Sequence, residues 1–176
     1  MPVRVPLYEP GPDDELANTI RARRGGWLAT LDRVLLHSPP LANGWNVFYG
    51  AIRDETEVSD RHRELAMLRV AHINGDRHNW WHHEKIARTI NMTDEEIDGI
   101  RTWPNATCFD ATDGAVLDYA QTMTVDRYVP EELFNRIRDL FPTRQVVELT
   151  AIIASYNCVN RFLVAMDIDS EIELHD

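Results

Sequence analysis

SDRHRELAMLRVAHINGDRHNWWHHEKIARTIN, residues 59–91, decides the fold. In its first half Leu65, Met67, Leu68, Val70, Ala71 and Ile73 recur at spacings of three and four, which predicts a largely buried helix rather than a strand. Glu64 opens that apolar run, so its side chain is carried inward. After Asn74-Gly75, a stripe of His78, Trp81, His82 and Lys85 runs beside a second stripe of His83, Ile86, Ala87 and Ile90. A short connection at Gly75 folds the second helix back on the first. That hairpin turns Glu64 toward the imidazoles, and five of the chain's seven histidines lie in this stretch.

Upstream, Pro2, Pro6, Pro10 and Pro12 mark residues 1–12 as an extended arm, lying on the surface or on a neighbouring subunit. Asp13 to His37 reads as one helix through Leu16, Ile20, Trp27, Leu28, Leu31, Val34 and Leu35, with Gly25-Gly26 as a weak spot. Pro39-Pro40 restarts the chain, Leu41 to Ile52 forms the next helix, and Ser59 is placed to cap the organising one. Downstream, Thr93-Asp94-Glu95-Glu96 has the form of a capping box, opening a short helix to about Arg101. Trp103-Pro104-Asn105 ends it, and an irregular segment follows to Asp110. Thr112 to Met123 and Glu131 to Phe141 are further helices, with Pro130 suited to the first turn of the latter. A last long helix runs from Thr143 to about Met166. No segment alternates as a strand does, so one all-α domain over residues 13–170 is expected, with an acidic tail at 171–176.

The chain has 176 residues, 44% of them hydrophobic, enough for a domain that buries a real core. Its 18 basic and 29 acidic residues give a net charge of −11. That balance argues against a nucleic-acid partner, because phosphate contacts supply most of such affinity. Cys108 and Cys158 stand far apart, each without a second thiol nearby, so neither a cysteine-based metal site nor a two-cysteine redox motif is present. No apolar run near the start suits a leader peptide. The longest apolar run, Val146 to Met166, is interrupted by Glu148, Asn157, Asn160 and Arg161, which marks a core helix rather than a membrane span. A cytoplasmic protein without a membrane partner is the expectation.

The residues carry a resemblance. Glu64-Leu-Ala-Met-Leu-Arg-Val-Ala71, Asn74-Gly75, Trp80-Trp81-His82-His83 and Thr93-Asp94-Glu95-Glu96-Ile97 together resemble the carboxymuconolactone decarboxylase and alkylhydroperoxidase D superfamily. The match covers about residues 35 to 100, and Gln145 to Ile168 resembles the second long helix of the same domain. The resemblance implies an AhpD-like helical bundle, assembled as trimers or hexamers, with a pocket beside the first helical hairpin. Thiol peroxidases of that superfamily read Glu-x11-Cys-x-His-Cys-x3-His. Here Glu64, His78 and His83 match the Glu and the two His, while Asp76 and Asn79 occupy the cysteine positions. Peroxide reduction by that route needs an attacking thiolate and a resolving thiol. The chain therefore resembles a branch without the thiols, and peroxidase activity is disfavoured.

What survives is acid–base chemistry. A buried carboxylate with two imidazoles can be tuned into the range useful for proton transfer. In the decarboxylase branch, as the resemblance implies, a carboxylated unsaturated lactone loses carbon dioxide without a cofactor. The expected function is a cofactor-free lyase, decarboxylase or isomerase on a small carboxylated or aromatic-derived substrate. Glu64, His78, His83 and Asp76 are its candidate catalytic residues. Arg69 and Arg161 are candidates to hold a substrate carboxylate, and Asn79, Asn157 and Trp80 to line the same pocket. Three other readings stand beside this one. Glu64 and His83 serve only as a satisfied buried pair in a non-catalytic oligomeric scaffold; His78 and His82, spaced as i and i+4, bind a metal; His62 and His82 are surface residues.

Overall fold

The computed structural model describes residues 3–168, and within them the secondary structure is helical throughout. Its elements are α1 (Glu15–Arg23), α2 (Thr30–Leu35), α3 (Pro39–Asp54), α4 (Asp60–Asn74), α5 (Arg77–Thr89), α6 (Asp94–Thr102), α7 (Ala111–Val125), α8 (Glu131–Leu140) and α9 (Thr143–Met166). The acidic tail expected at 171–176 and the end of the domain at 170 lie outside the described residues.

The core is built around α4. Every residue from Glu64 to Ala71 is buried, as befits a helix surrounded on all sides. It packs against α5, α7 and α9. Local chemistry sets its ends: the Ser59 hydroxyl accepts the His62 N–H at 3.2 Å. Gly75 closes the helix in the left-handed region at φ 69°, where a side chain would be strained. Asp76 follows at once as the N-cap of α5, accepting the Asn79 N–H. That turn leaves no linker between the helices, so α5 returns directly along α4. The capping box at Thr93 and Glu96 forms as expected.

α9 is long and apolar enough to cross a membrane by length and composition. Its buried positions, among them Leu149, Ile152, Ile153, Tyr156 and Leu163, instead join the same core as α4 and α7.

One sequence expectation is corrected. Asp13 to His37 is two helices, because Gly25 and Gly26 take φ values of 79° and 107° that a right-handed helix cannot contain. Asp32 fastens the break: its carboxylate accepts the Ala29 N–H at 2.9 Å and pairs with Arg24 at 2.5 Å. The arm, in its described part, lies on its own chain. The Tyr8 N–H donates to the Arg33 carbonyl and the Arg4 N–H to that of Met166, both at 3.0 Å, while Val3, Val5 and Leu7 pack against the core.

Candidate active site at the bend between α4 and α5

Glu64 and His83 meet as the hairpin requires. Glu64 sits one turn into α4 and His83 midway along α5, and the glutamate Oε2 lies 2.7 Å from the imidazole Nδ1. The other ring nitrogen, Nε2, lies 2.8 Å from the Tyr156 hydroxyl. A carboxylate, an imidazole and a phenol thus form one hydrogen-bonded chain, tying α4, α5 and α9 together. Glu64 and His83 are each 2% exposed and Tyr156 is fully buried, so the chain is sealed from solvent. Arg53, half-buried on α3, sets its guanidinium against the far side of the same phenol.

Asp76 is where the buried chemistry approaches a surface. It stands at the foot of a groove of about 340 Å³, lined also by His72, Arg77, Trp80, Trp81 and Arg101. Burial pushes its carboxyl up to about 6, against the opposing pull of the Asn79 amides, the His78 N–H and the nearby His83. The Asn79 side-chain amide donates to Asp76 Oδ2 at 2.9 Å. The fully buried Asn160 amide lies 2.6 Å from that of Asn79 and 3.0 Å from Asp76 Oδ2. The carboxyl is therefore held in one orientation while its charged form is disfavoured.

Both indoles of the groove carry a cation over the ring. The Arg101 guanidinium lies 3.8 Å over the Trp80 ring and the Lys85 ammonium 3.2 Å over that of Trp81. The Trp80 indole N–H donates to Glu84 at 2.7 Å, which fixes the ring. Burial, then Arg69 and Arg101, hold the His72 imidazole below its ordinary pKa.

The remaining candidates are scattered. Arg69 is buried and committed to its own fold: its guanidinium donates to the carbonyls of Ile100 (2.7 Å), Arg101 (3.3 Å) and Trp103 (3.1 Å) and to Gln121 (2.5 Å). It ties down the carbonyls that end α6, which leaves no fork for a substrate carboxylate. Arg161 is exposed and reaches Asn74 at 3.3 Å. Asn157 bonds Thr124, the Ile153 carbonyl and Asn74, a separate polar link among α4, α7 and α9. His78 is buried on the flank of α5 opposite Trp80.

The two histidines expected at the surface are partly buried there. His62 rests edge-on against Phe141 and 3.5 Å from Asp113. His82 is half-buried, and burial lowers its pKa to about 3, with His83, Arg53, His78 and Arg24 adding repulsion. Among the described residues, no three His, Cys, Asp or Glu side chains are gathered to hold a metal ion.

Tyr156, Asn160, Arg53 and Arg101 escaped the sequence reading. Asn160 and Tyr156 carried a signal: polar groups within an apolar helix, needing buried partners. Arg53 and Arg101 carried none, being single cations near helix ends.

Residues 39–122 match the model of the carboxymuconolactone decarboxylase family. Protein YdfG of Bacillus subtilis is 28% identical over 114 residues, covering 64% of this chain and 78% of its own. A peroxidase-related protein from Silicibacter sp. TM1040 superposes with a TM-score of 0.78 at 19% identity, covering 94% of this chain and 88% of its own. A second peroxidase-related protein, with an alkylhydroperoxidase AhpD core, from Ralstonia eutropha JMP134 gives 0.77 at 19% identity over 96% and 92%. The debrominase Bmp8 gives 0.76 at 18% identity over 95% and 91%. At these identities the solved structures share the fold.

Proposed function

The chain belongs to the carboxymuconolactone decarboxylase and alkylhydroperoxidase D-like superfamily, and on that premise we propose that it is a cofactor-free acid–base enzyme in which Asp76 handles the proton. The reaction is a decarboxylation or isomerisation of a small carboxylated or aromatic-derived substrate seated in the groove at the α4–α5 bend. One observation carries this reading: the residue at the first thiol position of the peroxidases is a carboxyl with a pKa raised to about 6, at the foot of a groove that also presents Arg77 and Arg101.

The arginines hold the substrate carboxylate. When its carbon–carbon bond breaks, the electron pair passes into the substrate as an enolate and carbon dioxide leaves. Asp76 in its acid form then gives its proton to the enolate carbon and regains one from solvent. Glu64, His83 and Tyr156 lie behind Asp76 as positioning groups, and the field of His83 adjusts the Asp76 acidity. A thiol route is disfavoured because Cys108 and Cys158 lie outside this constellation. In crystals a cysteine-to-alanine variant of the debrominase Bmp8 holds 2,3,4-tribromopyrrole; this supports a small ring as ligand class and nothing finer.

The test is release of carbon dioxide, or deuterium uptake from solvent, across a panel of carboxylated unsaturated lactones and aromatic acids. Turnover lost in a folded Asp76→Asn protein supports the proposal, and turnover retained in full sinks it. The sealed Glu64–His83 pair favours a second reading, a scaffold in which the pair is structural; it predicts neither turnover nor binding in the groove. Self-association as a trimer or hexamer is also proposed, through the stripe of Leu41, Trp45 and Phe48 on α3, of which Leu41 and Phe48 are exposed. Light scattering that returns a monomer refutes it.

A further inference from the structure

Glu64, His83 and Tyr156 do not line the groove, so proton transfer to a ligand there falls to the groove's own side chains. Among the described residues that line it, Arg77 and Arg101 stay charged, since a guanidinium does not give up its proton in a protein, and Trp80 and Trp81 do not titrate. Two lining side chains can exchange a proton near neutrality, Asp76 and His72.

The bend brings these two to one place. His72 lies in the last turn of α4, and Asp76 caps α5. The Gly75 N–H donates to the His72 carbonyl at 3.2 Å and the Asp76 N–H to that of Ala71 at 3.0 Å, which fixes both backbones around a single left-handed residue. The imidazole is held as well. It meets the Trp80 ring edge-on, with centroids 5.9 Å apart and planes at 68°. That indole is itself fixed by Glu84 at 2.7 Å and carries the Arg101 guanidinium at 3.8 Å. His72 is an exposed residue. Partial burial of its ring, then Arg69 and Arg101, keep it below its ordinary pKa, so it is neutral at pH 7 and able to accept a proton.

The pair can do what Asp76 alone cannot. A decarboxylation needs only an acid, because departing carbon dioxide leaves its electron pair in the substrate. A base is needed where the bond that breaks is carbon to hydrogen. We propose that His72 is a second catalytic residue of this groove, the base that removes a carbon-bound proton, and that the substrate is a small carboxylated unsaturated lactone whose double bond is moved. This rests on the reading given to Asp76 and narrows it to isomerisation. His72 takes the proton from the saturated ring carbon. The electron pair of that bond passes through the double bond to the lactone carbonyl oxygen, which gives a dienolate. Asp76 in its acid form returns a proton to the carbon beside the carbonyl. The imidazolium then releases its proton to solvent and the Asp76 carboxylate regains one, so the step is balanced without an oxidant or reductant.

The probe is the butenolide that carries its carboxylate on the saturated ring carbon, followed by proton NMR in deuterium oxide. The wild type should remove the proton of that carbon and place deuterium beside the carbonyl. His72→Gln should slow the removal about 100-fold or more with KM little changed. Asp76→Asn should still exchange that proton, because the exposed imidazole trades with solvent, but form little of the shifted lactone. Removal retained in full in His72→Gln overturns the proposal. So does exchange lost in Asp76→Asn, which would put both transfers on Asp76 and leave the reading of that residue standing. Carbon dioxide released by the wild type with no exchange at the saturated carbon overturns it too, again without touching Asp76. A wild type that neither exchanges nor releases carbon dioxide overturns both.

Discussion

Asp76→Asn separates what Asp76 does for the fold from what its charge costs. Asparagine caps a helix about as well as aspartate, so the start of α5 survives the change; the ionisable group is lost, together with the acceptor that Oδ2 offers the Asn79 amide, a loss that does not vary with pH. The Asp76 carboxyl has a pKa of about 6 against an ordinary 3.8. At 1.36 kcal/mol for each pH unit, the native state loses about 3 kcal/mol by holding this group ionised at neutral pH. The sign follows from proton occupancy. Between pH 3.8 and 6 the folded chain keeps a proton that the unfolded chain has released, so rising pH through this window destabilises the native state. The wild type should therefore lose about 3 kcal/mol relative to Asp76→Asn between about pH 4 and pH 7. Between those pH values the gap in Tm should move by about 6–12 °C in favour of the variant for a chain of this size. Urea denaturation of both proteins from about pH 4 to pH 8 measures the difference directly. A stability gap that does not change with pH, or one in which the wild type gains as pH rises, would refute the assignment of a desolvated, titrating carboxyl at this position.

Other perturbations test the surrounding framework. Glu64→Ala removes the partner of His83 from the core and should cost about 3 kcal/mol; a loss below about 1 kcal/mol in urea denaturation would show that the buried chain contributes little to holding α4, α5 and α9 together. Arg69→Met leaves the carbonyls at the end of α6 without donors and should cost about 2–4 kcal/mol, while turnover per folded molecule is unchanged; a raised KM would return Arg69 to the substrate site. Gly99→Ala places a methyl 2.9 Å from Cys108 Sγ and 3.0 Å from the Phe109 ring. It should cost about 1–3 kcal/mol by overpacking, and an unchanged thermal midpoint would mean that the segment after α6 moves aside freely.

Much of the architecture could be read from the chain because it is written in local chemistry. The apolar period of residues 65–73, the Ser59 and Thr93 caps and the left-handed glycine at 75 are short-range signals, and each appears where the residues place it. Where a local signal was overridden the cause was also local: the apolar period from Asp13 to His37 runs through two glycines whose backbone geometry breaks the helix. The meeting of Glu64 with His83 was legible as well, since a hairpin with no linker constrains its two faces. The role of Arg69 was not. Its position on α4 is compatible with a pocket, and only the packing of α6 and α7 against α4 shows four acceptors waiting for its guanidinium.

The sequence by itself determined that this is a helical chain organised around one hairpin, because that depends on residue type and spacing alone; its resemblance to the thiol peroxidases then marked Asp76 and Asn79 as standing where those carry sulfur. Which side of that hairpin meets a surface was decided by the tertiary structure. Burial depends on what the distant helices α3 and α9 bring to the site, and no spacing rule records it. Tyr156, itself met by Arg53, closes over His83, whereas Asp76, at the start of α5, lines the groove with its charge disfavoured. Desolvation sums over every neighbour in space, so the carboxyl at position 76, only 3% exposed although it lines the groove, has its charge disfavoured.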